Sequence, residues 1–313
     1  MGQQVAGMKQ PRAARGLFAA PQSAEARRRE RLGWILTAPT IIIICIVALY
    51  PVVRTFLLSF TNARLSSTRA VSFVGLANYT DLLTDKLFLQ ATYNTAIFTV
   101  FSVFFETVLG LIVALTIHSN FKGRGVVRTA MLIPWAIPTV VSARMWAWMY
   151  NDVFGVINDL LYTRLGLLST KIAWVADPVL TLPSLIAIDV WKTTPFMALL
   201  LLAGLQVIPG DIYEAADIDG ANKWSQFWTM TLPLLRPALM VALIFRTLDA
   251  FRVFDLPFVV KGTAPESITL SIIARQTMID LARLGQGATI AVVIFIFLMA
   301  IVVVYTRLIQ VED

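Results

Sequence analysis

Two stretches of this chain, Leu32 to Val53 and Leu284 to Thr306, each run for more than twenty residues without one charged side chain. A helix needs about 20 mostly apolar residues to cross the hydrocarbon core of a bilayer, where only internal pairing satisfies the backbone. Four more segments are long and apolar but interrupted by charge: roughly 88–118 (Glu106, His118), 127–150 (Arg128, Arg144), 181–208 (Asp189, Lys192) and 234–260 (Arg236, Arg246, Asp249, Arg252, Asp255). The composition agrees, with 58% hydrophobic residues, 14% charged and a mean hydropathy of +0.74. A soluble domain is nearer half apolar and a quarter charged, so a water-soluble globular fold is excluded. The expectation is an all-α, polytopic membrane protein with six transmembrane helices, at about 32–58, 88–118, 127–150, 181–208, 234–260 and 284–306. They form one domain at 31–309 behind a basic tail at 1–30, with a cytoplasmic loop at 209–236.

Lysine and arginine are retained on the cytoplasmic side of a membrane. Starting the chain inside places thirteen of them in inner segments and eight in outer ones, so both termini are expected in the cytoplasm. The Arg-rich start before an apolar run has the order of a signal peptide, whose apolar region is roughly 7–15 residues long and ends in a small-residue cleavage site. Here the run is longer and ends in Leu49-Tyr50-Pro51-Val52-Val53, which reads as an uncleaved anchor. The basic tail would favour anionic lipid headgroups. One histidine, His118, and one cysteine, Cys45, are too few for a zinc site built of His and Cys ligands. No Gly-Lys dipeptide occurs, so a phosphate-cradling loop is absent. No cofactor is expected on this chain, and any ATP and Mg belong to a partner.

The fourth and fifth spans are joined by Ile208-Pro209-Gly210-Asp211-Ile212-Tyr213-Glu214-Ala215-Ala216-Asp217-Ile218-Asp219-Gly220-Ala221-Asn222-Lys223-Trp224, running on to Leu232-Pro233-Leu234-Leu235-Arg236-Pro237. Pro209 and Gly210 end the preceding span. Asp211 with Glu214 has the spacing of a capping box, and Gly220 closes a first short helix. A second begins near Asn222 and sets Trp224, Phe227 and Trp228 on one face. A surface hairpin that merely joins two spans fits this spacing as well as a functional element does.

The residues themselves discriminate. Glu214-Ala215-Ala216, Gly220 and Leu232-Pro233 resemble the EAA loop of binding-protein-dependent ABC importer permeases, whose pattern is E-A-A, three variable residues, G, nine variable residues, then I or T, one variable residue and Leu-Pro. Phe73-Val74-Gly75-Leu76-Ala77-Asn78-Tyr79, Asn94-Thr95, Gly123-Arg124-Gly125 and Leu132-Ile133-Pro134-Trp135-Ala136-Ile137-Pro138 resemble the carbohydrate-uptake branch of that family. The likeness covers roughly residues 30–310 and is strongest toward permeases of mycobacterial trehalose import. It implies a type I importer permease fold that passes a sugar, a disaccharide such as trehalose, to the cytoplasm without covalent chemistry. Implied partners are a second homologous permease, an ATPase dimer and an extracytoplasmic substrate-binding lipoprotein docking on outer loops around 61–90, 151–180 and 261–283. In the family the first loop helix lies in a cleft of the ATPase. Glu214, Ala215, Ala216, Asp219 and Gly220 are therefore the expected coupling residues.

A charge at the centre of a span costs roughly 2.5–3.5 kcal/mol on insertion scales, so it normally faces protein or a water-filled path. Arg246, Asp249, Arg252 and Asp255 alternate in sign every three residues, either neutralising each other or lining a polar path. Sugar hydroxyls need carboxylates and guanidinium groups, and sugar C–H faces stack on aromatic rings. Asp249 with Phe251, and Arg246 one turn earlier, offer both. Asp189, Trp191, Lys192, Thr193 and Phe196 do likewise on span four, although packing accounts equally well for each ring alone. The resemblance points to Asp189, Thr193, Phe196, Arg246 and Asp249. The pattern departs there from the asparagine-rich one of maltose permeases, which implies a different sugar. Glu106 has no sequence-local partner and reads as an inter-helix hydrogen-bond group. Arg144 is expected to snorkel outward beside Trp146 and Trp148, and Pro134 and Pro138 to kink span three. The chief rival is a proton-coupled secondary transporter, against which the loop motif speaks.

Overall fold

The computed structural model describes residues 24–65 and 70–310. It divides into two units, Met1–Arg54 and Thr55–Asp313. In the first, α1 (Ala24–Ile44) passes through a π-helical turn, Cys45–Leu49, into the start of α2 (Tyr50–Ser59). Arg27, Arg28, Arg29 and Arg31 thus ride on a helix, and the expected tail is helical from Ala24. Residues 1–23 of that tail lie outside the described residues.

The second unit continues with α3 (Ala77–Thr84), α4 (Lys86–His118), α5 (Arg124–Met131), α6 (Ile133–Ala136), α7 (Thr139–Met149) and α8 (Val156–Asn158). It then forms α9 (Pro178–Leu205), α10 (Gly210–Ile218), α11 (Lys223–Gln226), α12 (Leu232–Phe251), α13 (Asp255–Lys261), α14 (Leu270–Arg275) and α15 (Leu284–Gln310). Among the described residues the one extended pairing is an antiparallel bridge between Thr61 and Phe73. Five helical runs are long and apolar enough to cross a membrane: Arg27–Ser59, Lys86–His118, Pro178–Leu205, Lys223–Lys261 and Leu284–Arg307. A sixth is a broken pair, Arg124–Ala136 and Thr139–Met149, bent by 90°.

Local chemistry explains where the long helices start. Asp85 accepts from the backbone N–H groups of Leu87 (2.7 Å) and Phe88 (3.2 Å), and Asp177 accepts from those of Val179 (2.7 Å) and Leu180 (3.2 Å). Each carboxylate satisfies donors that the first helical turn leaves unpaired. Asn78 donates to the carbonyls of Ser59 and Thr61, both at 2.9 Å, and Asn94 to those of Pro265 (3.0 Å) and Ile268 (2.9 Å). Asn78 and Asn94, two of the motif residues outside the 209–236 loop, therefore pin loops to helix ends.

α4, α9 and α12 form the central packing unit. Toward the C-terminal end of α9, Met197, Leu201, Leu202 and Leu205 pack with Ala114 and Ile117 of α4 and with Leu235 and Ala242 of α12. Toward its N-terminal end, Leu182, Leu185, Ile186 and Ile188 pack with Phe98 of α4, Ala143 of α7 and Leu256 of α13. A polar layer is held between these apolar slabs. Close approach needs a residue without a side chain at Gly204, where a Cβ would lie 2.4 Å from Ala238 Cβ and 2.8 Å from Leu235 Cδ1. Small residues at such crossings let helices associate through van der Waals contact where lipid gives no hydrophobic drive.

Two expectations need correction. Span three is not a kinked rod: it breaks at Ile137 and Pro138, both extended, whereas Pro134 fits harmlessly in the first turn of α6. The Arg246–Asp255 ladder is also interrupted, because α12 ends at Phe251 and a new helix starts at Asp255. Pro257, which has no N–H to donate, lies in the first turn of the new helix, where backbone N–H groups lack helical partners in any case. Gly204→Val is expected to destabilise the protein by about 1–3 kcal/mol through overpacking. A melting temperature in detergent equal to wild type would contradict the tight α9–α12 crossing.

Candidate functional site

The polar layer is organised around Arg246 of α12, which is 2% exposed. Its Nε and Nη2 donate to the two carboxylate oxygens of Glu106 on α4, with Nη2–Oε1 at 2.8 Å. Nη2 also donates to Asp189 on α9, and Nη1 to Asp249 Oδ2 at 2.8 Å, one turn along α12. The Thr193 hydroxyl lies 2.5 Å from Glu106 Oε1 and 2.6 Å from the carbonyl of Asp189. One guanidinium thus joins three helices. The fork geometry of arginine suits this role, since it offers several donors in one plane and stays charged when buried.

The burial of the members is unequal. Glu106 is fully buried and Asp189 nearly so, but the Asp249 side chain is 69% exposed. Asp249 opens onto a cleft of about 260 Å³ whose lining includes Trp135, Lys192, Thr193, Arg252 and Asp255. Trp135 stacks on Phe196, with centroids 5.9 Å apart and planes at 15°. The cleft therefore combines exposed charge with an aromatic wall at mid-span.

Of the residues read from sequence as the substrate path, Asp189, Thr193, Arg246 and Asp249 converge here. Phe196 stands behind Trp135. Phe251 does not reach the cleft: it is buried in an apolar cluster with Leu82, Phe88 and Ile290, its ring edge-on to Phe297 at 6.0 Å. A ring two residues from Asp249 is turned some 200° around a helix, which explains the miss. Arg252 and Asp255 border the cleft from beyond the helix break. Asp189 pairs with Arg246, while the Lys192 ammonium donates to the Ile137 carbonyl instead (2.9 Å). Trp191 packs edge-on against Trp146 at 5.3 Å. Sequence reasoning passed over Trp135 as a cleft residue and left Glu106 unpaired, because the partners are remote in the chain.

The hairpin after α9 is a second site. Gly220 has φ +78°, a left-handed conformation that a side chain disfavours. It closes α10 as the Ala221 N–H reaches back to the Ala216 carbonyl at 2.9 Å. Asn222 caps α11 by accepting from the Ser225 N–H at 2.8 Å. Asp217 clasps the two helices, accepting from Lys223 Nζ (2.9 Å) and from Gln226 Nε2 (2.5 Å). The expected Asp211–Glu214 capping box does not form: the cap falls two residues earlier, at Pro209, and α10 starts at Gly210. Asp211 in that first turn favours the helix dipole instead. Glu214, Ala215, Asp219 and Gly220 are exposed, but Ala216 is buried within this chain and offers no surface to a partner. Ile218, 87% exposed, joins Glu214 and Ala215 on the open face of α10.

Two outcomes follow from these geometries. Arg246→Met strands two buried carboxylates and is expected to cost about 3–5 kcal/mol, whereas Asp249→Asn, in solvent, costs less than about 1 kcal/mol. Equal thermal shifts for the two purified variants would refute Arg246 as the hub. In the hairpin, hydrogen bonds from Lys223 and Gln226 hold the Asp217 carboxyl below the ordinary carboxylate range. A depressed carboxyl stabilises fully above its unfolded value, about 3.9, and loses that contribution as pH falls through its folded value. Amide exchange over 217–226, corrected for intrinsic rates, should show the clasp intact near neutrality and opening only in strong acid, with Asp217→Asn removing that dependence.

Comparisons with known proteins accord with this architecture. Residues 106–311 match the family model for the binding-protein-dependent transport system inner membrane component. The chain is 42% identical over 281 residues to the trehalose/maltose transport system permease protein MalF of Thermococcus litoralis, covering 90% of this chain and 94% of that one. It is 37% identical over 297 residues to the trehalose transport system permease protein SugA of Mycobacterium tuberculosis, covering 95% and 94%. A chain in the crystal structure of a bacterial ABC transporter that imports the acidic polysaccharide alginate superposes with a TM-score of 0.79 at 22% identity, covering 91% of this chain and 96% of that one. That match shows the permease fold. The chain belongs to the inner membrane components of binding-protein-dependent transport systems, the permease subunits of ABC importers.

Proposed function

We propose that this permease carries a sugar, a disaccharide such as trehalose, from an extracytoplasmic binding lipoprotein into the cytoplasm. The observation that carries this reading is the mid-span cleft, where the free face of Asp249, Arg252 and Asp255 meets the Trp135–Phe196 stack. Carboxylates and guanidinium groups match sugar hydroxyls, and an indole face matches sugar C–H bonds. Relatives named for trehalose transport align over nine-tenths or more of the chain. The buried part of the cluster serves as scaffold, since Arg246 already spends its donors on three carboxylates. A proton-coupled secondary transporter draws no support from these relatives.

Movement is supplied from outside this chain. A second homologous permease completes the pore, and an ATPase dimer binds ATP and Mg. The open face of α10, with Glu214, Ala215, Asp219 and Ile218, docks on the ATPase, and Gly220 keeps the hairpin closed as it is pushed. The excess of inner lysines and arginines, thirteen against eight, supports cytoplasmic termini. The test is radiolabelled trehalose uptake by the complete complex in proteoliposomes with ATP inside. Trp135→Ala should raise the half-saturating concentration about tenfold, the worth of one stacking contact of about 1–1.5 kcal/mol. Glu214→Ala with Gly220→Pro should abolish uptake while ATP hydrolysis persists. Transport of trehalose unaltered by either change would overturn the reading.

A further inference from the structure

Lys192 is buried in α9 at the level of the polar layer, yet it makes no ion pair among the described residues. Its nearest acid on the helix, Asp189, is taken by Arg246. The Lys192 ammonium instead donates to the carbonyl of Ile137 at 2.9 Å and reaches that of Trp135 at 3.5 Å. Both carbonyls lie where span three breaks. α6 ends at Ala136, Ile137 and Pro138 are extended, and α7 departs at 90°. A helix end leaves its last carbonyls without N–H partners, and Pro138 has no N–H to lend. Within a membrane such groups are costly unless protein or water pairs them.

We propose that Lys192 is a positioning residue, the clasp that holds the broken third span against α9 by capping carbonyls the break leaves open. Lys192 and Phe196 are one turn apart on the same face of α9, and together they grip α6 at two points. The ammonium takes backbone carbonyls, and the Phe196 ring takes the Trp135 indole, 5.9 Å away. The clasp thereby sets the aromatic wall of the cleft. What the position requires is a hydrogen-bond donor that reaches the carbonyls of the break, and charge is secondary. The consequence for sugar rests on the functional reading above, while the clasp itself does not.

The test uses the complete importer in lipid nanodiscs. With Cys45→Ser as background, spin labels are attached through Val126→Cys on α5 and Val141→Cys on α7, both exposed, and their distance distribution is measured by pulsed electron resonance. Lys192→Met should broaden or shift the distribution, and Lys192→Gln, a neutral donor, should retain it. Trehalose uptake should require about tenfold more sugar at half-saturation with Met, the change expected when buried acceptors lose their donor. A distribution unaltered by Met overturns the clasp, as does an equal shift with Met and Gln. If the Met variant does not insert, Lys192→Ala is read in its place: a shifted distribution supports the clasp and the wild-type one overturns it. A shift with Met only, without change in half-saturation, upholds the clasp and instead overturns the sugar reading of the cleft.

Discussion

Everything at mid-span depends on one guanidinium. Arg246 is surrounded by Glu106, Asp189 and Asp249, and in a lipid environment each of these charges alone would be costly to insert. Together they form a hydrogen-bonded knot joining α4, α9 and α12. Apolar slabs seal it on both sides along α9, from Leu182 to Ile188 on one and from Met197 to Leu205 on the other. The knot opens to solvent chiefly through Asp249, whose side chain is 69% exposed. Its buried side fixes the helix register, and its open side presents polar groups to the cleft.

The two spans that flank the cleft are both broken, span three at Ile137 and Pro138 and span five between Phe251 and Asp255. Irregular backbone at membrane depth is tolerated where it is buried in protein or lines a polar cavity, and here it does both. Lys192 caps the first break from α9. At the second, the Thr269 hydroxyl donates to the Val253 carbonyl at 2.9 Å and that of Ser271 to the Arg252 carbonyl at 3.1 Å. The breaks thus supply polar surface to the cleft while neighbouring side chains absorb their unpaired groups.

The 209–236 hairpin is rigid by different means. A left-handed glycine, an asparagine cap and the Asp217 clasp close it, the buried Gln226 also donates to the Ala221 carbonyl at 2.9 Å, and Tyr213 meets Thr231 at 3.0 Å. This element joins α9 and α12, the two helices that carry Asp189 and Arg246. On the proposed reading, a push on the hairpin acts on the same two helices that shape the cleft.

The spans, the hairpin and its family motif were legible in the sequence, because charge-free runs, a glycine at a forced turn and an asparagine cap act locally. Asp189, Thr193, Arg246 and Asp249 were legible as intramembrane polar groups for the same reason. Their partners were not. Glu106 meets Arg246 across 140 positions, and Lys192 meets Ile137 across 55, distances over which no periodicity carries information. A ladder spaced by three appears continuous in the sequence but is split by the break between Phe251 and Asp255, and Ala216 turned inward although it shares a motif with exposed Glu214 and Ala215. The sequence by itself determined that the chain crosses a membrane and where it must turn, since hydration and backbone chemistry act residue by residue. Only the tertiary structure decided which charges neutralise one another and which remain free for a ligand, since that choice is made between helices packed side by side.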